Sequence, residues 1–396
     1  MKISDVRLFR VRGRLPDDWP AAEERVAAPL DVYPEFQARG PHAGAPPARP
    51  QTISAIYVEV RADSGLCGAY GPIIPEQAFL IHRWLRPFLV GRDPPAGELL
   101  WDQMFRLDRH GRAGLHLMAI SAVDNALWDL RGKQFNVPVY RLLGGPLRER
   151  LPAYASMLGH SLAPERARER ALAAAALGFT AQKWFFRNGP GSGQQGFLKN
   201  VQLARALREA VGDAYPLMFD AWRSWDADYA VRMARELEPL DPTWLEEPLQ
   251  PYAHDAYRRL RRATSVPLAA GEHLYTRWEF KPFLEAEVLQ FAQPDPDWCG
   301  GISELVKICA LASAHGVQVV PHGCTIAAAA HVVLAQPPSL CPYVEYLVQW
   351  LMHQQFFHKH PLRAQNGFVI VPDAPGLGLE LDESKVEARE ELNWGA

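Results

Sequence analysis

The pattern of hydrophobic and polar positions changes its period partway along the chain. Up to about residue 145, stretches that alternate with a period of two give way to stretches whose apolar residues have helical spacing. We expect strands over residues 1–12, 53–60 and 68–72, and helices over residues 76–89, 98–109 and 114–133. A few antiparallel strands followed by helices predict a separate α+β domain over residues 1–145.

From residue 146 onwards, short apolar runs alternate with amphipathic stretches. We expect strands at residues 151–156, 181–186, 216–220, 243–246, 267–272, 288–293, 317–321 and 343–345, and helices at residues 164–177, 196–211, 226–240, 253–262, 276–284, 301–315 and 325–335. This alternation predicts an α/β fold, a (β/α)8-type barrel of the modified TIM kind, over residues 146–355. Residues 356–396 lack the pattern, and we expect this C-terminal tail to pack back on the N-terminal domain and complete it as a capping domain.

Residues 15–50 follow neither period. The stretch is rich in proline and predicts a long loop, which in a compact enzyme is either a lid or disordered. It also carries aromatic and charged side chains, among them His42 and Arg49, which favour a lid over a plain linker. We therefore expect the loop to close over a substrate, and His42 and Arg49 to contact it.

Three apolar runs in the barrel region each end in an acid. Asp220, Glu246 and Glu272 follow these runs, and the same interval of 26 residues separates the first from the second and the second from the third. Acids at equivalent points of successive βα units point into the C-terminal mouth of a barrel, where catalysis occurs. Three crowded carboxylates need a cation, and hard oxygen ligands suit Mg²⁺. Glu246 and Glu247 are alternatives for the second position. We prefer Glu246, because it ends its apolar run as Asp220 and Glu272 do.

Bulk composition excludes several classes of function. The chain has 396 residues and a net charge of −3, from 42 Lys and Arg against 45 Asp and Glu, so nucleic acid and anionic membranes are not expected partners. The N-terminus lacks the apolar core of a signal peptide, and no run reaches the length of a membrane span. The five cysteines show no CxxC spacing, which indicates reduced thiols in a cytoplasmic protein without a zinc site.

Two later strands also end in reactive groups. Asp295 and His322 lie one barrel unit apart, and an aspartate beside a histidine orients the ring and raises its basicity. The eighth strand ends at Glu345, another acid that faces the mouth, and the second strand offers Lys183. We expect His322, Asp295, Glu345 and Lys183 to be the catalytic groups.

Together these features resemble the enolase superfamily, and within it the mandelate racemase group. The matching motifs are Asp220, Glu246-Glu247-Pro248, Gly271-Glu272-His273, the Asp295 and His322 pair, Glu345, and the segment 119–130, which is similar to the last capping-domain helix of that family. The resemblance covers nearly the whole chain. It implies that a carboxylate substrate binds Mg²⁺, that a base removes its α-proton to give a metal-stabilised enediolate, and that Glu345, if protonated, donates a hydrogen bond to this enediolate.

The second barrel strand departs from the racemase pattern. Racemases of this group carry Lys-x-Lys there, with the second lysine as a base opposite the histidine, whereas this strand has Lys183-Trp184-Phe185. Phenylalanine cannot take a proton, so His322 remains as the single base and Lys183 is expected to contact the substrate carboxylate. One base favours dehydration, in which His322 removes the α-proton and then protonates the departing β-hydroxyl. This pattern is similar to acid-sugar dehydratases of the rhamnonate type.

We therefore predict a Mg²⁺-dependent hydro-lyase that converts an aldonate or aldarate into a 2-keto-3-deoxy acid. Trp222 and His273 follow metal-ligating positions and are expected to contact the sugar. A small-molecule sugar acid is the expected partner, and we expect a homo-oligomer. Two alternatives stay open: a racemase or epimerase that uses Lys183 as its second base, and a homologue that binds a sugar acid without turning it over.

Overall fold

A computed structural model of the chain describes residues 1–37 and 52–395, so His42 and Arg49 lie outside the described residues. The N-terminal domain contains strands β1 (Ile3–Arg14), β2 (Thr52–Ala62) and β3 (Cys67–Ile73), and helices α1 (Pro34–Gln37), α2 (Pro75–Leu80), α3 (Arg86–Leu89), α4 (Gly97–Leu107), α5 (Gly114–Phe135) and α6 (Val139–Leu142). A π-helical turn, Ile81–Leu85, joins α2 to α3. The predicted helix over 76–89 is therefore continuous but changes its hydrogen bonding just before Pro87, which has no N–H to donate.

The eight predicted barrel strands are present. They are β4 (Leu151–Ser156), β5 (Gln182–Phe185), β6 (Leu217–Asp220), β7 (Trp244–Glu246), β8 (Leu268–Ala270), β9 (Phe291–Ala292), β10 (Gln318–Val319) and β11 (Val344–Leu347). The helices that alternate with them are α7 (Pro164–Ala176), α8 (Gly193–Val211), α9 (Ala227–Leu237), α10 (His254–Ala263), α11 (Thr276–Glu285), α12 (Gly301–Ala314), α13 (Ala327–Leu334) and the short α14 (Trp350–Gln354).

Local sequence explains where several of these helices begin and end. Asp226 caps α9 by accepting a hydrogen bond from the backbone N–H of Tyr229 at 2.8 Å, and Pro239 follows the end of the same helix. Pro164 occupies the first position of α7, where its missing N–H costs nothing. Gly212, with φ of +81°, ends α8.

The barrel strands pair in parallel from β4 to β10 in chain order, and β11 pairs with β4. Between β10 and β11 the described chain has no ladder; instead the backbone N–H of Val319 donates to the carbonyl of Leu340 at 2.8 Å. Within the described ranges, no helix is both long and apolar enough to cross a membrane.

The C-terminal tail contributes to both domains. Strand β14 (Ala388–Glu391) pairs antiparallel with β1, as predicted for a tail that completes the capping domain. The preceding hairpin, β12 (Ala364–Gln365) and β13 (Phe368–Val369), instead pairs antiparallel with the start of β4 in the barrel. The sequence pattern missed this hairpin because each of its strands has only two residues.

Helix α5 of the capping domain fixes the loop that follows β9. The side chain of Asn125 donates to the carbonyl of Pro296 at 3.0 Å and accepts from the backbone N–H of Ile302 at 2.9 Å. Asp124 accepts from the N–H of Ser303 at 2.9 Å. These residues belong to the segment 119–130, and they hold the loop that begins at Asp295.

Side chains from the eight strands fill the barrel in layers. The lower layer is largely apolar and consists of Tyr154, Ala181, Met218, Trp244, Ala269, Phe291, Val320 and Tyr343. Because side chains on a strand alternate between its two faces, the residue two positions later points into the same interior, one layer nearer the mouth. Those residues are Ser156, Lys183, Asp220, Glu246, Gly271, Gln293, His322 and Glu345. A largely apolar layer therefore lies beneath a layer of polar groups.

Candidate active site

The amine of Lys183 lies at the centre of this polar layer. Its Nζ is 3.1 Å from Oδ2 of Asp220 and 2.9 Å from Oε1 of Glu345, and it forms a third ion pair with Glu246. All four side chains are buried. Burial by itself would lower the pKa of Lys183, but the neighbouring carboxylates raise it well above the usual value. Lys183 is therefore held as a cation by three ion pairs in this structure.

The same contacts determine the charge of Glu345. Burial acts to raise the pKa of this carboxyl, but Lys183 and His322 hold it below its ordinary value. One carboxylate oxygen also accepts a hydrogen bond from the backbone N–H of Gly323 at 3.0 Å. Glu345 thus accepts hydrogen bonds in this structure, and the hydrogen bond that a protonated Glu345 would donate to an enediolate stays a prediction.

Glu246 and Glu247 face different partners, although they are adjacent in sequence. Glu246 accepts hydrogen bonds from the indole N–H of Trp244 at 2.8 Å and from the amide of Gln293 at 2.6 Å, so its carboxylate is anchored to the barrel floor. Glu247 has a φ of +37°, which turns its side chain away from the strand direction. One of its oxygens lies 2.9 Å from Nδ1 of His273.

Glu272 connects these acids to His322. Nδ1 of His273 lies 3.2 Å from one of its oxygens, and Nε2 of His322 lies 3.2 Å from the other. One ligand atom from each of Glu247, Glu272 and His273 lies within 4.8 Å of the others, a spacing compatible with a metal ion. The predicted set of Asp220, Glu246 and Glu272 converges on the same mouth but does not form so compact a group.

The charge balance of this mouth fits a divalent cation. The buried acids are Asp220, Glu246, Glu247, Glu272, Asp295 and Glu345, whereas the basic groups beside them are Lys183, Arg223, His273 and His322. Burial raises the pKa of Asp220 to about 6, and the ion pair with Lys183 offsets this shift only in part. Carboxylate oxygens are the ligands that Mg²⁺ prefers, so the residues fit the expected metal.

His322 and Asp295 form the expected pair. Nδ1 of His322 lies 2.5 Å from Oδ2 of Asp295, which directs Nε2 towards the cavity. Burial lowers the pKa of His322, but Glu272, Asp295 and Glu345 together raise it well above the usual value. The Trp298 ring packs beside the imidazole with its centroid 5.1 Å away. The imidazole is therefore both oriented and made more basic.

A cavity of about 460 Å³ opens above this layer, between the barrel mouth and the capping domain. Lys183, Asp220, Glu272, His322 and Glu345 line its base. Phe185 and Trp222 also line it, and a contact between Trp222 and a sugar stays a prediction. His273 does not line the cavity, and its contacts with Glu247 and Glu272 give it a supporting position instead.

The described part of the long loop is tied to the barrel. The backbone N–H of Ala27 donates to the carbonyl of Phe186 at 2.8 Å, and that of Glu23 donates to the carbonyl of Gly159 at 2.6 Å. Arg25 and Asp31 form a buried ion pair, and Arg25 also donates to the carbonyl of Phe36 at 3.0 Å. Arg25 lines the cavity, so this segment is a wall of the site.

One further group on the wall was not found from the sequence. Tyr70 on β3 donates a hydrogen bond to Asp297, and both side chains line the cavity. Thr325, three residues after His322, completes the cluster at 2.8 Å from the Tyr70 hydroxyl. The signal available was the position of Asp297, two residues after Asp295 in the loop after β9.

Two family models match the chain and divide it as the fold does. The N-terminal domain of mandelate racemase and muconate lactonizing enzyme matches residues 32–144, and the enolase C-terminal domain-like model matches residues 166–385. The chain belongs to the enolase superfamily. The acids at the strand ends and the His322 and Asp295 pair lie at the C-terminal face of this enolase-type barrel.

Relatives within the enolase superfamily match along nearly the whole chain. An L-rhamnonate dehydratase from Saccharopolyspora erythraea is 37% identical, with 98% of each chain covered. A rhamnonate dehydratase from Gibberella zeae, solved as a complex with Mg, is 31% identical with a TM-score of 0.83, covering 97% of this chain and 96% of its own. A racemase from Streptomyces coelicolor A3(2) with bound magnesium is 29% identical with a TM-score of 0.78, and the match covers 97% of this chain and 98% of the racemase chain.

These similarities confirm the predicted family, the barrel with its capping domain, and an enzyme of the hydro-lyase kind. The magnesium in the Gibberella zeae complex agrees with the cofactor expected from the three acids.

Proposed function

We propose that this enzyme is a Mg²⁺-dependent dehydratase of a sugar acid that converts an aldonate or aldarate into a 2-keto-3-deoxy acid. The observation that carries the proposal is the asymmetry of the cavity base. The paired imidazole of His322 lies on one side, whereas Phe185 lines the cavity where the racemases of this group carry a second lysine. L-rhamnonate is the first substrate to test, because two of the relatives named above are rhamnonate dehydratases.

Asp220, Glu246 and Glu272 would hold the metal, with Glu247 as the neighbour that could replace Glu246. When bound, Mg²⁺ polarises the substrate carboxylate and makes the adjacent C–H bond more acidic. Lys183 holds Asp220, Glu246 and Glu345 in place through its ion pairs and lines the cavity base, where its ammonium can also contact the substrate carboxylate.

His322 performs both proton transfers. Nε2 takes the proton from C2 of the substrate, and the Asp295 carboxylate stabilises the imidazolium that forms. The electron pair of the broken C–H bond then forms the C2–C3 double bond as the C3–O bond breaks, and the departing oxygen takes its proton from His322 to leave as water. The resulting enol carries its hydroxyl on C2, and it tautomerises to the 2-keto-3-deoxy acid by moving that proton to C3.

The epimerase alternative needs a second base on the face opposite His322. Ion pairs between the Lys183 amine and three carboxylates favour a charged ammonium over a base, which supports dehydration. The non-catalytic alternative does not account for the 2.5 Å contact between His322 and Asp295, because substrate binding alone does not need an oriented base.

The test is a screen of the purified protein with Mg²⁺ against hexonates, pentonates and aldarates, with L-rhamnonate among them. We expect a 2-keto-3-deoxy acid to accumulate from at least one acid. The companion measurement is incorporation of deuterium at C2 of recovered substrate in deuterated water. Deuterium exchange at C2 with inversion and without loss of water would show that the enzyme is an epimerase rather than a dehydratase. Metal and substrate binding without exchange or product would replace it by binding alone.

A further inference from the structure

The Tyr70, Asp297 and Thr325 cluster is a polar group on the cavity wall that the proposed proton transfers do not use. Tyr70 comes from β3 of the capping domain, whereas Asp297 and Thr325 come from the loops after β9 and β10. The hydroxyls of both Tyr70 and Thr325 donate to the same oxygen, Oδ1 of Asp297, with Thr325 at 3.3 Å. The two hydroxyls also lie 2.8 Å apart.

This cluster is not needed to orient the catalytic pair. Asp295 is held by the backbone N–H of Asp297, which donates to Oδ1 of Asp295 at 2.6 Å, and any residue at position 297 other than proline would supply that N–H. The capping-domain side chain of Asn125 holds the same loop independently, at the carbonyl of Pro296. The side chain of Asp297 is therefore available for another task.

Two other polar side chains that line the cavity, Gln77 and Glu24, are already bound to protein groups. The amide of Gln77 accepts from the N–H of Ile74 at 2.9 Å and donates to the carbonyl of Met118 at 2.9 Å. Glu24 accepts from the N–H of Leu162 at 2.9 Å. Much of the rest of the wall is apolar, with Ile73, Met118, Leu158, Trp298, Leu347 and Trp350. A sugar acid carries several hydroxyls, and each buried hydroxyl needs a polar partner.

We propose that Asp297, held in position by Tyr70 and Thr325, binds a substrate hydroxyl beyond C3 and so selects among sugar acids. This inference rests on the proposed function, since it assigns a recognition group to the same cavity. Tyr70 makes the recognition dependent on the capping domain, because its hydroxyl reaches across the domain boundary to fix the carboxyl.

The electrostatics of Asp297 suit this task in either protonation state. Burial, followed by the charge of Asp295, raises the pKa of Asp297 to about 7. As a carboxylate it accepts a hydrogen bond from a sugar hydroxyl, and as a carboxylic acid it donates one. Its polar partners within the protein include the hydroxyls of Tyr70 and Thr325, which can reverse their own direction to match, and the thiol of Cys324.

The test pairs changes in the protein with changes in the substrate. The variant Asp297→Ala is assayed with L-rhamnonate and with its 4-deoxy and 5-deoxy analogues. Tyr70 and Thr325 can satisfy each other once the carboxyl is removed, since their hydroxyls lie 2.8 Å apart. Tyr57→Phe is the matched control, because Tyr57 is a buried capping-domain tyrosine whose hydroxyl has no hydrogen-bond partner among the described residues.

We expect Asp297→Ala to lower kcat/KM for L-rhamnonate by about 10- to 100-fold, chiefly through KM. For the analogue that lacks the hydroxyl bound by Asp297, kcat/KM of the wild-type enzyme should fall by a similar factor relative to L-rhamnonate. Asp297→Ala should show little further loss of kcat/KM between L-rhamnonate and that analogue, because the hydroxyl and its partner are then both absent. Tyr70→Phe should show the same selectivity with a smaller loss, and it decides the question if Asp297→Ala does not fold. Tyr57→Phe should match the wild type on all three acids.

An equal loss on all three acids would show that Asp297 only supports the fold of the site, and would overturn the inference. An Asp297→Ala variant as active as the wild type would overturn it too. In either case the wild-type enzyme still dehydrates L-rhamnonate, so the proposed function stands. If the screen identifies a different sugar acid, the same comparison is made with that acid and its deoxy analogues. Absence of product from the wild-type enzyme with every acid of the screen would instead overturn the proposed function, and the inference with it.

Discussion

Nδ1 of His322 lies 2.5 Å from Oδ2 of Asp295, and this contact fixes which nitrogen faces the substrate. The ring cannot rotate without losing the carboxylate, so Nε2 points towards Glu272 and the cavity. One imidazole reaches one face of the substrate, and the α-proton and the β-hydroxyl should therefore leave from the same side.

The first prediction concerns the base. His322→Asn should lower dehydration by about a thousandfold or more, and should abolish exchange of the α-proton, because both need an imidazole at this position. The measurements are product formation and deuterium incorporation at C2 in deuterated water.

Lys183→Met is the comparison for this prediction. It removes the cation from among Asp220, Glu246 and Glu345, so we expect weaker substrate binding but continued exchange when substrate is saturating. Exchange that survives in His322→Asn and disappears in Lys183→Met would make Lys183 the base and favour an epimerase.

The second prediction concerns the metal ligands. Glu246→Gln should weaken Mg²⁺ binding by at least about tenfold, because two remaining acids hold Mg²⁺ poorly. Titration calorimetry, or Mn²⁺ binding followed by electron paramagnetic resonance, measures this without relying on activity. Glu247→Gln is the matched variant, since Glu247 lies close to Glu272 and His273. Unchanged affinity in Glu246→Gln together with a loss in Glu247→Gln would transfer the ligand role to Glu247.

The third prediction concerns the long loop. His42→Ala and Arg49→Ala should raise KM for the substrate by about tenfold while metal affinity stays unchanged, because a lid contacts the substrate rather than the metal ligands. Steady-state kinetics and metal titration on the same preparations separate the two effects. Wild-type KM in both variants would remove His42 and Arg49 from the substrate contacts.

The fourth prediction concerns acid stability. Burial lowers the pKa of His331 and of His358 to about 4 in the folded chain, against a usual value of 6.5. Between these values the unfolded chain binds more protons than the folded one, so the free energy of unfolding falls as the pH falls below about 6.5. We expect a loss of about 2 kcal/mol for each histidine between about pH 7.5 and about pH 5.

Urea unfolding at the two pH values measures this loss. His358→Gln should remove the part of the pH dependence of the free energy of unfolding that His358 contributes. His360→Gln is the control, because the side chain of His360 is largely exposed in the same tail. A pH dependence in His358→Gln that equals that of the wild type would contradict the assignment.

The local sequence pattern predicted the order of helices and strands along the chain, but it did not predict the residues at which the strands end. β8 ends at Ala270, although the predicted strand ran to Glu272. Gly271 has a φ of +138°, and a Cβ there would lie 2.6 Å from the Phe280 ring. The backbone therefore leaves the strand before Glu272, and simple alternation does not give the direction of that side chain.

The sequence by itself determined which groups share the mouth of the barrel. Equal intervals place Asp220 and Glu246 at equivalent points of neighbouring units, and the structure pairs these two residues in register. His322 and Glu345 follow from the same rule, because alternation along each strand is a local property of the backbone.

Only the tertiary structure decided which groups touch. Glu246 and Glu247 are equivalent in a local pattern, but the positive φ of Glu247 and the donors Trp244 and Gln293 send them to different partners. Tyr70 and Asp297 are 227 residues apart, and their hydrogen bond exists because the capping domain packs on the barrel mouth. The physical reason is that periodicity reports the face of one element, whereas contacts between distant elements depend on how whole domains pack.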